Sequence, residues 1–475
     1  MIKILKKWWV LFLILTMLLY LIVGAVAPFL HYKKISSTKP FLNELFSENQ
    51  RKERAMLLES NQSAWEERIR LMNQAEDRII LSTFDMREGK STRDILALLY
   101  QKAEEGISVK IIVDGISGVV RMAGCALFYA VSAHPNIQIK IYNPLNPLKP
   151  WTTQGRMHDK YIIVDDKGYI LGGRNTFDYF IGSYNTKNRS FDREVLIYNE
   201  GPGKKSESSL NQIETYFWSV WNQKVSKLFH EKTPFYMRSK VKDEVGLLKE
   251  RYKKIEEKNR KLFEKNDYYL KNTCEIKGVQ LLWNPIHIYG KEPVVFEQLT
   301  QLMSRAKERV IIHTPYLVCN TYMKEELKKI SEAVPNTRII LNSVENGDNF
   351  FASSDYRRHK KDLLSMGMKL YEYDGGTSYH GKSLVLDHNI SVIGSYNFDL
   401  RSTYMDTELM LVIRSEELAE ELMKNMETIQ KDCRYVKNAT TYETPEHIKV
   451  LEVPSWKKVA WQVIGFIMQP FRCLI

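Results

Sequence analysis

One short pattern occurs twice in this chain of 475 residues, with the same internal spacing in both copies. In each copy a histidine is followed by lysine at +2, aspartate at +7, glycine at +14 and asparagine at +17. A single copy would be a weak signal, typical of ordinary half-buried strands. Two copies with four matched offsets favour one active site assembled from two half-sites. The residues are His158, Lys160, Asp165, Gly172-Gly173 and Asn175, then His380, Lys382, Asp387, Gly394-Ser395 and Asn397.

Each copy of the pattern predicts a β-hairpin that presents its histidine, lysine and asparagine to one side. Residues 161–164 and 383–386 are apolar and typical of buried strands. Side chains two apart on a strand share a face, so each histidine and its lysine point the same way. Asp165 and Asp387 fall at the strand end at an odd offset. We expect them to have a structural or turn role.

The pattern belongs to a longer internal repeat. Residues 71–81 resemble residues 302–312, and each is followed by alternating strand and helix signals. A repeat of this length predicts an α/β fold with two similar domains, each a β-sheet flanked by helices, related by a pseudo-twofold axis. We place the domains at 55–235 and 273–440. A charged helical connector, 236–272, joins them.

The N-terminal region predicts a membrane anchor at 1–34. Residues 8–30 carry no charge, and about 20 apolar residues of helix cross a hydrocarbon core of roughly 30 Å. An uncleaved transmembrane helix is favoured over a cleaved signal peptide and over a buried core helix. We therefore expect a location at the cell membrane with a single span, the side of the membrane being undetermined. Residues 35–60 are polar and predict a helical linker.

The C-terminal segment 451–475 is amphipathic. Its apolar residues share one helical face, which suits a helix lying in a membrane interface. Periodicity alone equally allows that face to pack on the protein core, and the predicted anchor tilts the choice towards the membrane. The apolar face comprises Trp456, Val459, Ala460, Val463, Ile464, Ile467 and Met468.

The formal net charge of +12 favours an anionic partner, either nucleic acid or an anionic membrane surface. The five cysteines are scattered and form no C-x-x-C motif, so we expect reduced packing residues. No acidic or histidine cluster with metal-ligand spacing accompanies the repeated pattern. We expect neither a metal nor another cofactor.

Two histidines, two lysines and two asparagines around one pocket suit phosphodiester exchange. A neutral imidazole can attack phosphorus and form a phosphohistidine. The second histidine can protonate the leaving alkoxide and later deprotonate the incoming alcohol or water. Lys160, Lys382 and the asparagine amides would hold the non-bridging oxygens. The pattern leaves open which histidine is the nucleophile.

A nucleophilic imidazole needs its other nitrogen held in place, and two downstream pairs of carboxylates are candidates. Asp192 and Glu194 follow the first pattern, and Asp406 and Glu408 follow the second. Glu194 and Glu408 both begin apolar strands, so we prefer them. Ordinary strand-end charges are an equal alternative.

These residues resemble the phospholipase D superfamily, whose signature is His-x-Lys-x4-Asp-x6-Gly-[Gly/Ser]-x-Asn in two copies. The resemblance spans about residues 60–435 and is strongest to bacterial cardiolipin synthases. It implies that phosphatidylglycerol accepts a phosphatidyl group from phosphatidylglycerol or phosphatidylethanolamine. It also implies active-site roles for His158, Lys160, Asp165, Asn175, His380, Lys382, Asp387, Ser395 and Asn397, with Gly173 beside them.

Two other functions compete with a phosphatidyltransferase. One is a phospholipase D-type phosphodiesterase that hydrolyses phospholipid or nucleic acid. The other is a membrane scaffold on an inactive fold, which the intact His-Lys pairs argue against. We expect membrane phospholipids as partners, no nucleic acid and no obligate protein partner, because both ends of the chain point to a membrane.

Overall fold

The computed structural model describes residues 2–29, 53–201, 208–230 and 232–475. In these residues the strands form two nine-stranded sheets and one two-stranded sheet. The first large sheet contains β1 Glu53–Leu58, β2 Arg78–Thr83, β3 Ser108–Asp114, β4 Ile137–Tyr142, β5 Tyr161–Val164, β6 Gly168–Gly172, β8 Glu194–Asn199, β9 Ser226–Leu228 and β10 Cys274–Glu275. The second contains β11 Gly278–Trp283, β12 Arg309–His313, β13 Asn336–Asn342, β14 Lys369–Tyr373, β16 Ser383–Leu386, β17 Ile390–Gly394, β18 Leu409–Arg414, β19 Cys433–Val436 and β20 Tyr442–Glu443. The small sheet pairs β7 Ser190–Phe191 with β15 Ser378–Tyr379.

Helices cover the outer faces of both sheets. The connections between β2, β3 and β4, and those between β12, β13 and β14, contain helices, as expected where neighbouring strands run parallel. The α-helices of four residues or more are Ile2–Val26, Asn61–Asn73, Lys90–Glu104, Ala126–Ser132, Ser209–Trp221, Arg238–Lys258, Arg260–Phe263, Tyr268–Asn272, Val294–Met303, Thr321–Ala333, Phe350–Leu364, Leu400–Tyr404, Glu416–Gln430 and Ser455–Ile467.

Eight strands follow the same order in both sheets, and β10 and β20 extend opposite ends of that shared order. The first has the order β10-β1-β8-β6-β5-β2-β3-β4-β9, and the second has β11-β18-β17-β16-β12-β13-β14-β19-β20. Strands β2, β3 and β4 run parallel, as do β12, β13 and β14, and the remaining pairs are antiparallel. The predicted α/β fold with a doubled domain is confirmed. The predicted strands 161–164 and 383–386 are β5 and β16, central in each sheet and buried throughout.

One hydrophobic cluster joins the halves. It contains side chains from the first sheet, such as Ile163 and Leu171, together with Val385 and Ile393 from the second. Each half also has a hydrophobic cluster of its own, between its sheet and its helices. Because a fully buried aliphatic side chain contributes about 1.5–3 kcal/mol, the shared cluster strongly favours the joined arrangement. The relative placement of the two hairpins is therefore fixed by packing.

The predicted linker 35–60 is wrong at its C-terminal end, where Glu53–Leu58 forms strand β1. Ser60 then starts the next helix through a capping box with Ser63. Residues 35–52 of that prediction lie outside the described residues. Between the halves, the helix Arg238–Lys258 buries Val241, Leu248 and Ile255 and leaves most of its charged side chains exposed.

Both chain ends carry helices with exposed apolar faces. Among the described residues, one straight helix, Lys6–Phe29, is long and apolar enough to cross a membrane, with mean hydropathy 2.8. We call it the anchor helix. Most of its side chains are exposed, which argues against a buried core helix. The C-terminal helix, Ser455–Ile467, buries Trp461 against Phe350 but exposes Trp456 and Phe466. The predicted apolar face is thus largely exposed, with Val459, Val463 and Ile467 about half exposed, and the helix packs on the protein through Trp461 and Gly465 instead.

Candidate active site

Both pattern histidines line one pocket of about 650 Å³ between the two halves. His158 lies just before β5, which begins at Tyr161. His380 lies at the same distance before β16, which begins at Ser383. Because β5 and β16 are central strands in sheets packed together, their N-terminal ends deliver the two imidazoles to the same cleft. Asn175 and Asn397 line the same pocket.

Each histidine is held by a carboxylate from the opposite half. His158 Nδ1 lies 2.8 Å from Glu408 Oε1, and His380 Nδ1 lies 2.8 Å from Asp192 Oδ2. Both carboxylates are fully buried. The backbone crosses over in the same way, since the His158 N–H donates to Thr407 Oγ1 and the His380 N–H to the Phe191 carbonyl. Neither half contains a complete histidine site.

The preference for Glu194 as a histidine partner is wrong. Gly172 of β6 pairs with Glu194, whereas the equivalent Gly394 of β17 pairs with Met410. Asp192 lies two residues before Glu194, and Glu408 lies two residues before Met410. Asp192 is therefore the structural equivalent of Glu408. The loop that follows Asn175 is longer than the loop that follows Asn397. An alignment of β8 with β18 that relies only on their apolar residues is therefore shifted by two residues.

Glu194 instead forms a buried ion pair. Its carboxylate accepts two hydrogen bonds from Arg68, at 2.6 and 2.7 Å, and one from Arg174 at 3.3 Å. All three side chains are almost completely buried. Glu194 therefore ties β8 to the helix Asn61–Asn73 and supports the fold behind the pocket.

The small residue of each pattern is matched to its carboxylate. A Cβ atom at Gly173 would lie 2.4 Å from an Asp192 carboxylate oxygen, so only glycine leaves room there. The equivalent Ser395 donates its hydroxyl to Glu408 at 2.5 Å. Ser402 donates a second hydroxyl to Glu408 at 2.6 Å. The two sides of the pocket thus share a plan and differ in chemistry.

The lysines lie behind the histidines rather than on the pocket wall. Lys160 and Lys382 are almost fully buried. Lys160 Nζ donates to the His158 carbonyl at 2.5 Å, and Lys382 Nζ contacts the His380 ring and lies 3.4 Å from Asp192. The expectation that both lysines face the pocket beside their histidines is therefore corrected. Their positive charges act on the pocket from beneath its surface.

Asp165 and Asp387 are turn residues, as the odd offset predicted. Both have left-handed backbone geometry, with φ of 47°. The Asp165 carboxylate accepts backbone N–H groups of residues 76–78, and Asp387 accepts those of residues 307–309. Neither lines the pocket. The catalytic role that the resemblance implied for them is not supported by this placement.

Aromatic rings and further charges complete the pocket. Phe84 packs edge-on against His158 at 5.1 Å between ring centroids, and Phe180 contacts His380 at 5.4 Å. Arg401 also lines the pocket, donates to Asp406 at 2.9 Å and reaches the Gln154 carbonyl of the first half. These residues carry no repeated spacing, so the sequence pattern did not reveal them. In the part of the chain that the structure describes, no group of three or more His, Cys, Asp or Glu side chains is placed to bind a metal.

The pocket favours neutral imidazoles. Burial lowers the pKa of His158 well below its ordinary value, and the charges of Lys160 and Lys382 lower it further. Burial and Lys382 also lower the pKa of His380, but Asp192 opposes them. Although burial acts against ionisation, Lys382 and His380 hold the pKa of Asp192 at about 2. His380 therefore has an ionised carboxylate at its back.

The opposite side of the pocket is balanced differently. Burial raises the pKa of Glu408, while Lys160 and the hydroxyls of Ser395 and Ser402 oppose that rise. Burial also lowers the pKa of Lys160 to about 7. In the tautomer in which His158 Nδ1–H donates to Glu408, Nε2 keeps the lone pair that an attack on phosphorus requires.

A doubled α/β fold with one His-x-Lys pattern per half and a single shared pocket defines a two-domain phospholipase D-like protein. The family model described as "Cardiolipin synthase, PLD-like domain" matches residues 69–221 and 299–430. These two segments make up more than half of the sequence and fall one in each half. The chain belongs to this family.

Named relatives are similar along most of their length. Cardiolipin synthase C of Escherichia coli (strain K12) is 24% identical over 420 residues, covering 80% of this chain and 85% of the relative. A cardiolipin synthase of Clostridium perfringens (strain SM101) is 24% identical over 400 residues, covering 83% and 74%. Among solved structures, phosphatidylserine synthase of Haemophilus influenzae Rd KW20 has a TM-score of 0.63 at 15% identity, covering 89% of this chain and 95% of that one. This last similarity concerns the fold.

Proposed function

We propose that this chain is a membrane-anchored phosphatidyltransferase that makes cardiolipin. The acceptor is phosphatidylglycerol, and the donor is phosphatidylglycerol or phosphatidylethanolamine. The observation that carries the proposal is the crossed pairing of His158 with Glu408 and of His380 with Asp192 around one pocket. Family membership and the two cardiolipin synthase relatives support the choice of substrate class.

In the first step His158 Nε2 attacks the donor phosphorus and forms an N–P bond. The bond from phosphorus to the headgroup oxygen breaks, and His380 donates a proton to that oxygen, releasing glycerol or ethanolamine. Lys160 and Lys382 stabilise the negative charge that builds on the phosphoryl oxygens. Asn175 and Asn397, on the pocket wall, hold those oxygens directly.

In the second step a hydroxyl of phosphatidylglycerol attacks the phosphohistidine. Its proton passes to His380, the N–P bond breaks and cardiolipin is formed. Water in place of the lipid hydroxyl would yield phosphatidic acid. The aromatic wall beside both histidines favours a lipid in this position, because it binds apolar groups and excludes water.

The two histidine roles are assigned from their surroundings. The ionised Asp192 opposes the fall in the pKa of His380, so His380 is the ring that more readily takes up the proton that a general acid needs. His158 has two lysine charges among the causes that lower its pKa, which keep it neutral for attack. His380→Ala should therefore still form the phosphoenzyme from a phosphatidyl ester with a nitrophenol leaving group, which departs without protonation. His158→Ala should form none, and a phosphoenzyme in His158→Ala alone would reverse the assignment.

The test of the function is lipid analysis after incubation with vesicles. The full-length protein, purified in detergent and reconstituted, is given phosphatidylglycerol vesicles with or without phosphatidylethanolamine. Cardiolipin with equimolar glycerol or ethanolamine supports the proposal, and His380→Ala is the control for contaminating activity. Phosphatidic acid alone would establish a hydrolase instead. Unchanged lipids together with cleavage of added DNA or RNA would establish a nuclease.

A further inference from the structure

The pocket opens beside three segments that carry exposed apolar side chains, which we call the apolar rim. The first is the short helical segment 115–122 after β3, and the second is the loop 143–156 after β4. The third is the C-terminal segment 455–475. None of the three contains an aspartate or glutamate, although the chain has 57 of them. Arg121, Lys149, Lys457 and Lys458 are the basic residues accessible at their surface, whereas Arg156 is buried beside Asp114 and Arg472 is paired with Asp355.

Two rim segments leave the same edge of the first sheet. Strands β3 and β4 are parallel neighbours, with Asp114 opposite Tyr142, so their following loops emerge side by side. Ser117, in the first segment, donates to the pocket residue Asp85 at 3.0 Å. Val119 and Val120 of that segment are exposed, and Leu148 of the second is 86% exposed. Apolar side chains therefore point outwards next to residues that form the pocket.

The third rim segment supplies the opposite wall. Met468 and Leu474 line the pocket directly. Arg472 fixes the segment to the second half through Asp355, with contacts of 2.7 and 2.9 Å. On the outer face of the same segment, Phe466 is 68% exposed. One short stretch thus contacts the pocket on one side and solvent on the other.

The anchor helix ends against this same region. Tyr20 Oη donates to the Pro147 carbonyl at 2.6 Å, and the backbone at Gly24 approaches Pro150 closely enough that a Cβ would lie 3.3 Å away. The Pro28 carbonyl accepts a hydrogen bond from the Gly290 N–H of the second half at 2.8 Å. A helix long enough to span a membrane therefore packs against the second rim segment.

We propose that the apolar rim inserts into the headgroup region of the same anionic phospholipid bilayer that the anchor helix crosses, so that the pocket opens directly onto the lipid surface. Apolar side chains with basic residues and no carboxylates are the composition that an anionic leaflet binds. The inference deepens the proposed function, because a lipid can then reach His158 and His380 without crossing water.

The test measures the depth of single labelled positions in the full-length protein reconstituted in phosphatidylglycerol-containing vesicles. A fluorophore is attached at Val120→Cys, Leu148→Cys or Phe466→Cys, in a background with Cys125 and Cys473 replaced by serine. Phe235→Cys is the matched control, since Phe235 is 83% exposed but follows β9, which runs away from the rim edge. Carrying the label in His380→Ala protein separates the result from catalysis.

We expect nitroxide-labelled lipid to quench all three rim positions about threefold or more above the control, and aqueous iodide to quench mainly the control. Iodide quenching of all four positions would overturn the proposal. Lipid quenching at Phe466 alone would also overturn it, because only the C-terminal helix would then dock. As a second measurement, Leu148→Asp should lower the ratio of the vesicle rate to the rate on short-chain lipid in detergent, and Phe235→Asp should not. An unchanged ratio in Leu148→Asp would count against the rim.

Discussion

Asp192 and Glu194 lie two residues apart on the same segment, and their surroundings give them different roles. Asp192 approaches His380 through the space left by Gly173 and is stabilised as an anion by Lys382. Glu194 instead pairs with Arg68 and Arg174. One carboxylate therefore contacts a pocket histidine, and the other supports the fold behind the pocket.

This difference predicts opposite results for two conservative substitutions. Asp192→Asn should lower turnover on the order of 10²-fold, because His380 loses the charge that favours its protonated form. Glu194→Gln should leave turnover per folded molecule close to wild type and lower the free energy of unfolding by about 3 kcal/mol, since Arg68 loses a buried partner. Vesicle assays and chemical denaturation measure the two effects. Equal loss of turnover in both variants would contradict the assignment.

Lys160 predicts an alkaline limit to activity. Burial lowers the pKa of Lys160 to about 7, so its ammonium is lost as the pH rises through that value. Because the charge stabilises the phosphoryl oxygens, kcat/KM should fall above pH 7 by about tenfold per pH unit. Lys160→Arg keeps the charge at high pH and should remove this limb, even if its rate at neutral pH is lower. Persistence of the limb in Lys160→Arg would assign it to another group.

Sequence reasoning identified the residues whose spacing repeats and misassigned one whose spacing does not. His158 and His380 were found because the hairpins that carry them have equal length. Asp192 and Glu408 follow their asparagines by 17 and 11 residues, so the insertion in the first half hid their equivalence. Buried lysines behind the rings could not be distinguished from lysines on the wall, since both share one strand face with the histidine.

At the scale of elements, an aspartate side chain in each hairpin turn accepts hydrogen bonds from the backbone of a neighbouring strand. Asp165 and Asp387 each bind three consecutive backbone N–H groups at the start of a neighbouring strand. These contacts fix where β2 and β12 begin relative to β5 and β16. They set the strand register from the end farthest from the pocket.

Asp387→Ala should therefore reduce stability without affecting the chemistry directly. The substitution removes the acceptor for the amides of residues 307–309 and leaves alanine at a positive φ. We expect the free energy of unfolding to fall by about 2 kcal/mol, while kcat per folded molecule is retained. Asp387→Asn, which tolerates that backbone geometry, should lose less. A catalytic role would instead show as a large loss of kcat in both variants at unchanged stability.

Strand β1 shows which elements local sequence cannot predict. Glu53–Leu58 contains alanine, methionine and leucine, which favour helices as readily as strands. It is a strand because it pairs with β8 and β10, which lie about 140 and 220 residues further along the chain. Such pairing overrides local preference. The repeated β-α-β units were predictable because their periodicity and order are local.

For the whole molecule, the two halves form one catalytic unit within one chain. His158→Ala and His380→Ala should each abolish cardiolipin formation, because the proposed mechanism gives each histidine a separate role. A mixture of the two purified variants should remain inactive, since both rings must reach one phosphorus in the same molecule. The two proteins are mixed in detergent, reconstituted together and assayed against the wild type. Recovery of activity in the mixture would show that the pocket is shared between molecules.

Each histidine pairs with a carboxylate from the opposite half, and this crossed pairing affects how the two copies of a duplicated domain can diverge. Two separate, identical copies of one half, associated face to face, would satisfy the same pairing, but symmetry would force both sides of the cleft to be chemically equal. Joined in one polypeptide, the copies are free to diverge, and they have: glycine accompanies aspartate on one side, and serine accompanies glutamate on the other. Covalent fusion thus permits the division of labour in the proposed mechanism, in which one side bonds to phosphorus and the other carries the proton.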